Sequence, residues 1–355
     1  MSKNKEQIII LAQSLEQPRI VKRIIEKASE HDTVKVYGFT RKIHAVNNYS
    51  VLHDYENIDI TIIGSLANSR YVSRVFMYCK LIGVLYRNHG LSPKNIYAFG
   101  LDLRGIAALI ANAKIKYEIS DILWLYKSGG QRKILSAIDT FLAKRSDEVI
   151  FTSKGFYNSY YAEHVRAERV VIKENKFKSY DKVTPIEQIK SDKICIAYIG
   201  AFRYAEIIEH LLKTVANNKE LQLNFYGDGN QQIVEIIKKN VANFENITYN
   251  GAFKNPDDLE GIYGENNLNF VVYDNSLENE KVAMPNKFYE SGFFNIPILC
   301  ATKTYVGERV LEKHMGWTVD SKFETISGFL NSLTLNEIFE RHQRIKGLDK
   351  ALFHC

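Results

Sequence analysis

The chain has 355 residues, more than one ordinary core needs, and fits two domains of about 150 to 180 residues each. Hydrophobic residues at 45% and charged residues at 25% are those of a folded globular protein and exclude a disordered or fibrous chain. A formal charge of +6 favours anionic small ligands or an anionic surface and is too modest to call for nucleic acid.

The N-terminus, MSKNKEQIIILAQSLEQPR, is basic but carries only a short apolar run, too short for a signal peptide or a membrane span. Apolar, β-branched runs then recur with helical stretches between them, the signature of βαβ units around a parallel sheet. They lie at 8–12 (IIILA), 33–39 (TVKVYGF), 58–64 (IDITIIG), 95–100 (NIYAFG), 115–120 (IKYEIS) and 148–153 (EVIFTS), with helical patterns at 18–30 and 101–113. The stretch 70–88, RYVSRVFMYCKLIGVLYRN, mixes long apolar and basic residues. It reads either as a helix lying in a membrane interface or as a partly buried amphipathic helix with basic ends.

A polar segment, KFKSYDKVTPIEQIKSDK, carries a proline and many charges and reads as a linker over 176–192. It separates a first domain, 1–175, from a second, 193–334. The second series of strands is 194–200 (ICIAYIG), 221–227 (LQLNFYG), 246–251 (NITYNG), 268–273 (LNFVVY) and 296–301 (IPILCA). The closing stretch, 335–355, is helical in pattern, has no strand partner and is expected to pack back on the first domain. The expected fold is α/β: two Rossmann-like doubly wound domains facing across a cleft, with ligands at the carboxyl ends of the strands. Cys79, Cys195, Cys300 and Cys355 are far apart and form no Cys-x-x-Cys pair, which points away from zinc and disulfides and toward a reducing cytoplasm.

Four strand ends in the second half carry candidate chemistry. In YIGAFRY, Gly200 stands where a strand should end and Arg203 at the start of a helix, so that helix amides and a guanidinium can converge on phosphate. A surface arginine is the plain alternative. NFYGDGNQQ places Gly227, Asp228 and Gly229 after the next strand, a glycine pair that by itself makes a tight turn. NGAFKNPDDLEGIYGENNLNFVVYDNS supplies a loop, a short helix near 256–263 and a strand, with Asn250 and Gly251 bordering either a base or a turn.

In MPNKFYESGFFNIPIL, Pro285 suits a first helical turn, and Asn286, Lys287 and Glu290 follow. Lys287 opposes the helix dipole at a cost of roughly several tenths of a kcal/mol unless an anion sits there, and a diphosphate would remove that cost. Glu290 shares its face and could accept hydrogen bonds from vicinal sugar hydroxyls, although an exposed i,i+3 ion pair accounts for the same spacing.

In this order and at these separations, YIGAFRY, NFYGDGN, NITYNGAF and PNKFYESGFFNIPIL resemble the donor-binding half of the two-Rossmann-domain (GT-B) glycosyltransferases, particularly family 4. QPRIVKRIIEKASEHDTVKVYGF, IYAFGLDLRGIAALIANAKIKYEISDI and IDTFLAKRSDEVIFTS are similar to the first half of such enzymes, so the resemblance covers nearly the whole chain. Its sharpest motif is Pro-Asn-Lys-x-x-x-Glu. By matching position, the resemblance implies that Glu290 grips the nucleotide ribose and Arg203 the donor diphosphate. Gly200, Gly227, Asn286 and Lys287 stand beside them as donor-binding candidates, and the phosphate role of Lys287 rests on the dipole argument.

The chain also departs from the family. Val282 stands where many relatives carry a second glutamate, with Glu280 and Lys281 nearby, and Ala205 and Glu206 occupy the region of a usual lysine. Ser120 stands where relatives often have histidine, leaving Asp121 as an acceptor-side catalytic candidate and Asp102, at another strand end, as a second.

Breaking the anomeric C–O bond of a nucleotide sugar builds negative charge on the diphosphate, so fixed dipoles and cations must be aimed there. No Asp-x-Asp occurs in the chain, and the expectation is transfer without metal or cofactor, carried by Arg203, Lys287 and helix amides. Retention of configuration is what the resemblance implies. The expected protein is a cytoplasmic glycosyltransferase, peripheral on the inner face of the cell membrane. It would take a UDP- or GDP-linked sugar to a glycan or lipid-linked oligosaccharide in bacterial capsule or other surface polysaccharide synthesis. A nucleotide-sugar 2-epimerase shares the architecture, and a non-catalytic scaffold gains weight from Val282. A nicotinamide dehydrogenase is set aside, because neither half has G-x-G-x-x-G after its first strand.

Overall fold

The computed structural model describes residues 6–41, 46–47, 49–66, 71–90, 95–110, 113–179 and 183–355. The chain divides into two compact units, Met1–Glu174 and Asn175–Cys355. Residues 1–5 of the basic N-terminus, Arg70, residues 111–112 of the expected helix 101–113 and 180–182 of the expected linker lie outside the described residues.

In the first unit the strands are β1 (Ile8–Ala12), β2 (Val34–Thr40), β3 (Ile58–Ser65), β4 (Asn95–Phe99), β5 (Lys114–Ile119), β6 (Glu148–Phe151) and β7 (Val170–Ile172). They form one parallel sheet in the order β3-β2-β1-β4-β5-β6-β7. Central β1 is buried on both faces, which is why it is apolar throughout. Ile8 and Ile10 meet Ile20, Val21 and Ile24 of helix α1 (Pro18–Glu30). Ile9 and Leu11 meet Leu81 and Leu85 of α2 (Tyr71–His89) and Leu103 and Ile106 of α3 (Gly100–Ala107). Helix α4 (Gly129–Lys144) follows β5. Strand β7 was not legible in the sequence: three residues at a sheet edge, half exposed, carry too little periodicity to read.

The second unit repeats the plan. Strands β8 (Ile194–Phe202), β9 (Leu221–Gly229), β10 (Ile247–Tyr249), β11 (Leu268–Val271), β12 (Ile298–Ala301) and β13 (Gly316–Val319) run parallel in the order β10-β9-β8-β11-β12-β13. The helices between and after them are α5 (Ala205–Ala216), α6 (Gln231–Asn243), α7 (Leu259–Gly264), α8 (Glu278–Val282), α9 (Asn286–Phe294), α10 (Tyr305–Glu312), α11 (Phe323–Ser332) and α12 (Leu335–Lys346). Edge strand β13 is a second short strand that the sequence did not reveal.

Two stretches differ from their expected setting. Phe177, within the expected linker, is buried against Phe293 and Phe294, and its backbone pairs with the C-terminal residues. The closing segment, expected against the first half, is held by the second unit. His342 of α12 is buried between the carbonyl oxygens of Asn295 and Glu187, and Phe353 fills the space left by Gly292 of α9.

Candidate functional site

The strand order of the second sheet reverses between β8 and β11, and at such a switch point the loops diverge and leave room for a ligand outside the carboxyl ends. Gly200 and Gly227 are partners across β8 and β9 near those ends. Both have positive φ, +124° and +144°, and a Cβ on Gly227 would stand 1.9 Å from the Gly200 carbonyl oxygen. The expected strand end at Gly200 is two residues early, since β8 runs on to Phe202 with Gly229 opposite. The two glycines therefore let the last strand residues approach backbone to backbone, which is more than a tight turn requires.

Helix α9 starts beside this backbone. Pro285 caps the helix and Asn286, half buried, is its first residue, one position later than expected. An added Cβ at Gly200 would lie 4.0 Å from Cε of Lys287, so the strand end and the lysine are neighbours. Lys287 donates to Glu290 Oε2 at 2.6 Å, and both are buried, at 9% and 2% exposure. The pair anticipated from the spacing exists, but in the interior rather than on the surface. The Lys287 ammonium also stands 5.7 Å from the centre of the Phe253 ring.

Glu290 is held from three sides. The Tyr263 hydroxyl of α7 donates to Oε2 at 3.0 Å, and Asn255 Nδ2 donates to Oε1 at 3.3 Å. Asn269 of β11 in turn donates to Tyr263 Oη and to Ser291 Oγ, tying the array to the centre of the sheet. Burial pushes the Tyr263 phenol well above its ordinary range, and the nearby Glu290 carboxylate pushes it further, so this hydroxyl stays a donor. None of these supporting residues was singled out from the sequence. They come from other elements, and spacing along α9 carries no signal for them.

Arg203 is exposed, in the two-residue link between β8 and α5 rather than on a helix. Burial pushes the neighbouring Tyr273 phenol well above its ordinary range. Tyr204, next to Arg203, packs on Tyr273 and donates to Glu280 Oε1 at 3.0 Å. Glu280 is only 5% exposed although it lies on the five-residue helix α8. Glu280 is thus a buried carboxylate two positions before Val282.

The acceptor-side candidates lie in the first unit, at the carboxyl ends of neighbouring strands. Asp102, at the start of α3, accepts from the Tyr78 hydroxyl at 2.9 Å, and Asp121, after β5, is exposed. A third carboxylate, Glu118, went unnoticed in the sequence and is completely buried. It accepts from Arg19, from Arg23 at 3.1 Å and from Tyr97; burial alone would raise its pKa, but Arg19 and Arg23 hold it below the usual carboxylate range. This cluster pins α1 to β5. A surface groove of about 730 Å³ between α5 and α6, lined by His210, Lys213 and Lys239 among others, contains none of the candidate residues.

No protein-family model matches the chain. It is 25% identical over 305 residues to the succinoglycan biosynthesis protein ExoL of Rhizobium meliloti strain 1021, covering 80% of this chain and 73% of that protein. Among solved structures it is similar to sucrose-phosphate synthase from Thermosynechococcus elongatus, with a TM-score of 0.72 at 12% identity, covering 98% of this chain and 95% of that one. It is also similar to Anabaena HepE in complex with UDP-glucose, with a TM-score of 0.66 at 14% identity, covering 98% and 94%. At these identities the likeness shows the fold, and the chain is an α/β protein of two Rossmann-like doubly wound units, the GT-B fold.

Proposed function

We propose that the chain is a glycosyltransferase that moves a sugar from a nucleotide-sugar donor to a glycan acceptor in bacterial surface polysaccharide synthesis. The observation that carries this reading is the setting of Lys287 and Glu290 on the first turns of α9, beside the Gly200 backbone at the switch point of the second sheet. A cation with first-turn amides suits a diphosphate, and a carboxylate close by suits a ribose diol. Support comes from HepE, a protein of the same fold bound to UDP-glucose, and from ExoL, a protein of succinoglycan biosynthesis.

In this reading Glu290 accepts from the ribose through Oε1, which takes one long bond from Asn255 while Oε2 is engaged by Lys287 and Tyr263. Arg203, Lys287 and the amides of Asn286 and Lys287 stabilise the charge that builds on the departing UDP or GDP. Gly200 and Gly227 keep side chains out of the phosphates' path. Glu280, oriented by Tyr204, supplies a carboxylate for the transferred sugar in place of the one absent at Val282. Asp121 or Asp102 serves the incoming hydroxyl. Transfer proceeds with retention and without metal, onto a lipid-linked glycan at the inner face of the membrane.

The test is thermal stability with UDP, GDP, CMP and ADP, with and without EDTA, for the wild type, Arg203→Ala and Glu290→Gln. A ligand at 100 times its Kd adds about 2.7 kcal/mol. The expected result is stabilisation by UDP or GDP alone, unchanged by EDTA and reduced in both variants. No stabilisation by any nucleotide overturns the donor site.

A further inference from the structure

Helices α2, α3 and α4 lie side by side on one face of the first sheet. Tyr86 of α2 donates to the carbonyl of Leu109 just beyond α3, and Arg104 of α3 donates to the carbonyl of Leu142 in α4 at 3.0 Å. The outer faces of α2 and α4 are unusual for a folded chain. On α2, Val72, Val75 and Phe76 are 86%, 60% and 68% exposed; on α4, Ile134, Ile138 and Phe141 are 63%, 45% and 51% exposed. Positions 134, 138 and 141 fall on one stripe, and α4 is not loosely seated behind it. Its inward Asp139 accepts from Tyr117, Tyr161 and Trp124, and Leu142 and Ala143 are buried. Single exposed apolar residues are ordinary, whereas clusters of large ones on neighbouring helices mark an interaction surface.

The exposed charges that α2 and α4 themselves carry are of one sign, while half-buried Asp102 of α3 is bonded to Tyr78 and exposed Asp147, beyond α4, accepts from the Ile115 amide. Residues 71–89 include no Asp or Glu, and the one acidic residue of α4 is the buried Asp139. The exposed charges on the two helices and the residue after α4 are Lys80, Arg87, Lys133, Lys144 and Arg145, with the Arg145 guanidinium 4.4 Å over the Phe141 ring. A second copy docking through this face would set like charges against each other. An anionic bilayer meets both demands: its phosphates take the cations, and its acyl boundary takes the aliphatic and aromatic side chains. We infer that the α2–α4 face seats the chain on an anionic membrane surface, with α4 as much a part of the contact as the basic helix α2. The inference goes beyond the donor-site reading and gives a lipid-borne acceptor a place to be met. No described helix is long and apolar enough to cross a membrane, so the contact is in the plane of the interface.

The experiment is flotation of the full chain with phosphatidylglycerol/phosphatidylcholine vesicles and with phosphatidylcholine vesicles. The variants are Ile134→Ser/Ile138→Ser/Phe141→Ser and Lys133→Glu/Lys144→Glu/Arg145→Glu. All six positions are exposed, and melting curves verify that the variants remain folded. Expected are binding to the anionic vesicles alone, lost with added salt, and at least a tenfold fall in the bound fraction in both triple variants. Stabilisation by nucleotide, measured on the same proteins, stays at the wild-type value, so failure of this inference and failure of the donor site are told apart. Three results would overturn it: no flotation of the wild type, equal flotation of the charge-reversed variant, or a wild-type dimer in light scattering that the serine variant makes monomeric.

Discussion

The Nζ of Lys287 lies 2.6 Å from Oε2 of Glu290 with both side chains buried, so the cation at the unfavourable end of α9 is balanced by a carboxylate one turn along. Removing one member leaves the other charge in the interior. Lys287→Met is expected to cost roughly 3 kcal/mol, while the double variant Lys287→Met/Glu290→Gln costs less than the sum of the singles. Urea denaturation of the four proteins measures this. Additive costs would show that the two groups do not depend on each other.

Tyr263 acts through Glu290. Tyr263→Phe removes the 3.0 Å bond to Oε2 and leaves Asn269 its bond to Ser291, so the array loosens without losing a charge. The expected loss of stability is about 1 to 2 kcal/mol. Nucleotide affinity should fall several-fold while turnover at saturating donor changes little, because ribose binding is common to ground and transition states. Equal affinities in wild type and variant would confine Tyr263 to a packing role.

Two glycines should respond in opposite directions to alanine. At Gly227 the new methyl meets the Gly200 carbonyl oxygen at 1.9 Å under a φ of +144°, so Gly227→Ala should cost more than about 3 kcal/mol or abolish folding. At Gly83, within α2, nothing lies within 4 Å of the added methyl, and Gly83→Ala should stabilise by about 0.5 to 1 kcal/mol. Thermal melts of both variants decide the matter.

Lys350 gives a pH signature. Its ammonium donates to the carbonyl oxygens of Gly292 and Ile345 and to Asn295 Oδ1, and burial pulls its pKa down to about 8 against an ordinary 10.5. Between those values the unfolded chain holds more protons than the folded one, so the contribution of this group to stability rises as pH rises from 8 to 10.5. The stability of the wild type relative to Lys350→Met should therefore increase across that window. A difference that is flat or falls with pH would contradict it.

Much of the fold is visible in the residues themselves. IIILA and ICIAYIG are apolar without alternation because each opens a sheet covered on both faces, and most expected strands lie within two or three residues of those observed. The short edge strands β7 and β13 were not visible, because half-exposed runs of three or four residues carry little pattern. Gly200, Gly227, Arg203, Lys287 and Glu290 could be picked out because local chemistry constrains them: the carboxyl end of a strand, the start of a helix, a spacing of three residues.

The sequence by itself determined two doubly wound α/β units and which strand ends deserve attention, since burial on both faces and helix-start chemistry are written in neighbouring residues. Only the tertiary structure decided that the Lys287–Glu290 pair is internal, that Tyr263, Asn255 and Asn269 hold it, and that Glu280 is buried beside Tyr204. It also decided that Ile134, Ile138 and Phe141 face outward. The reason is physical: hydrogen-bond partners 27 or 35 residues apart, and the choice of which apolar stripe is covered, depend on how elements pack, and no local pattern encodes that.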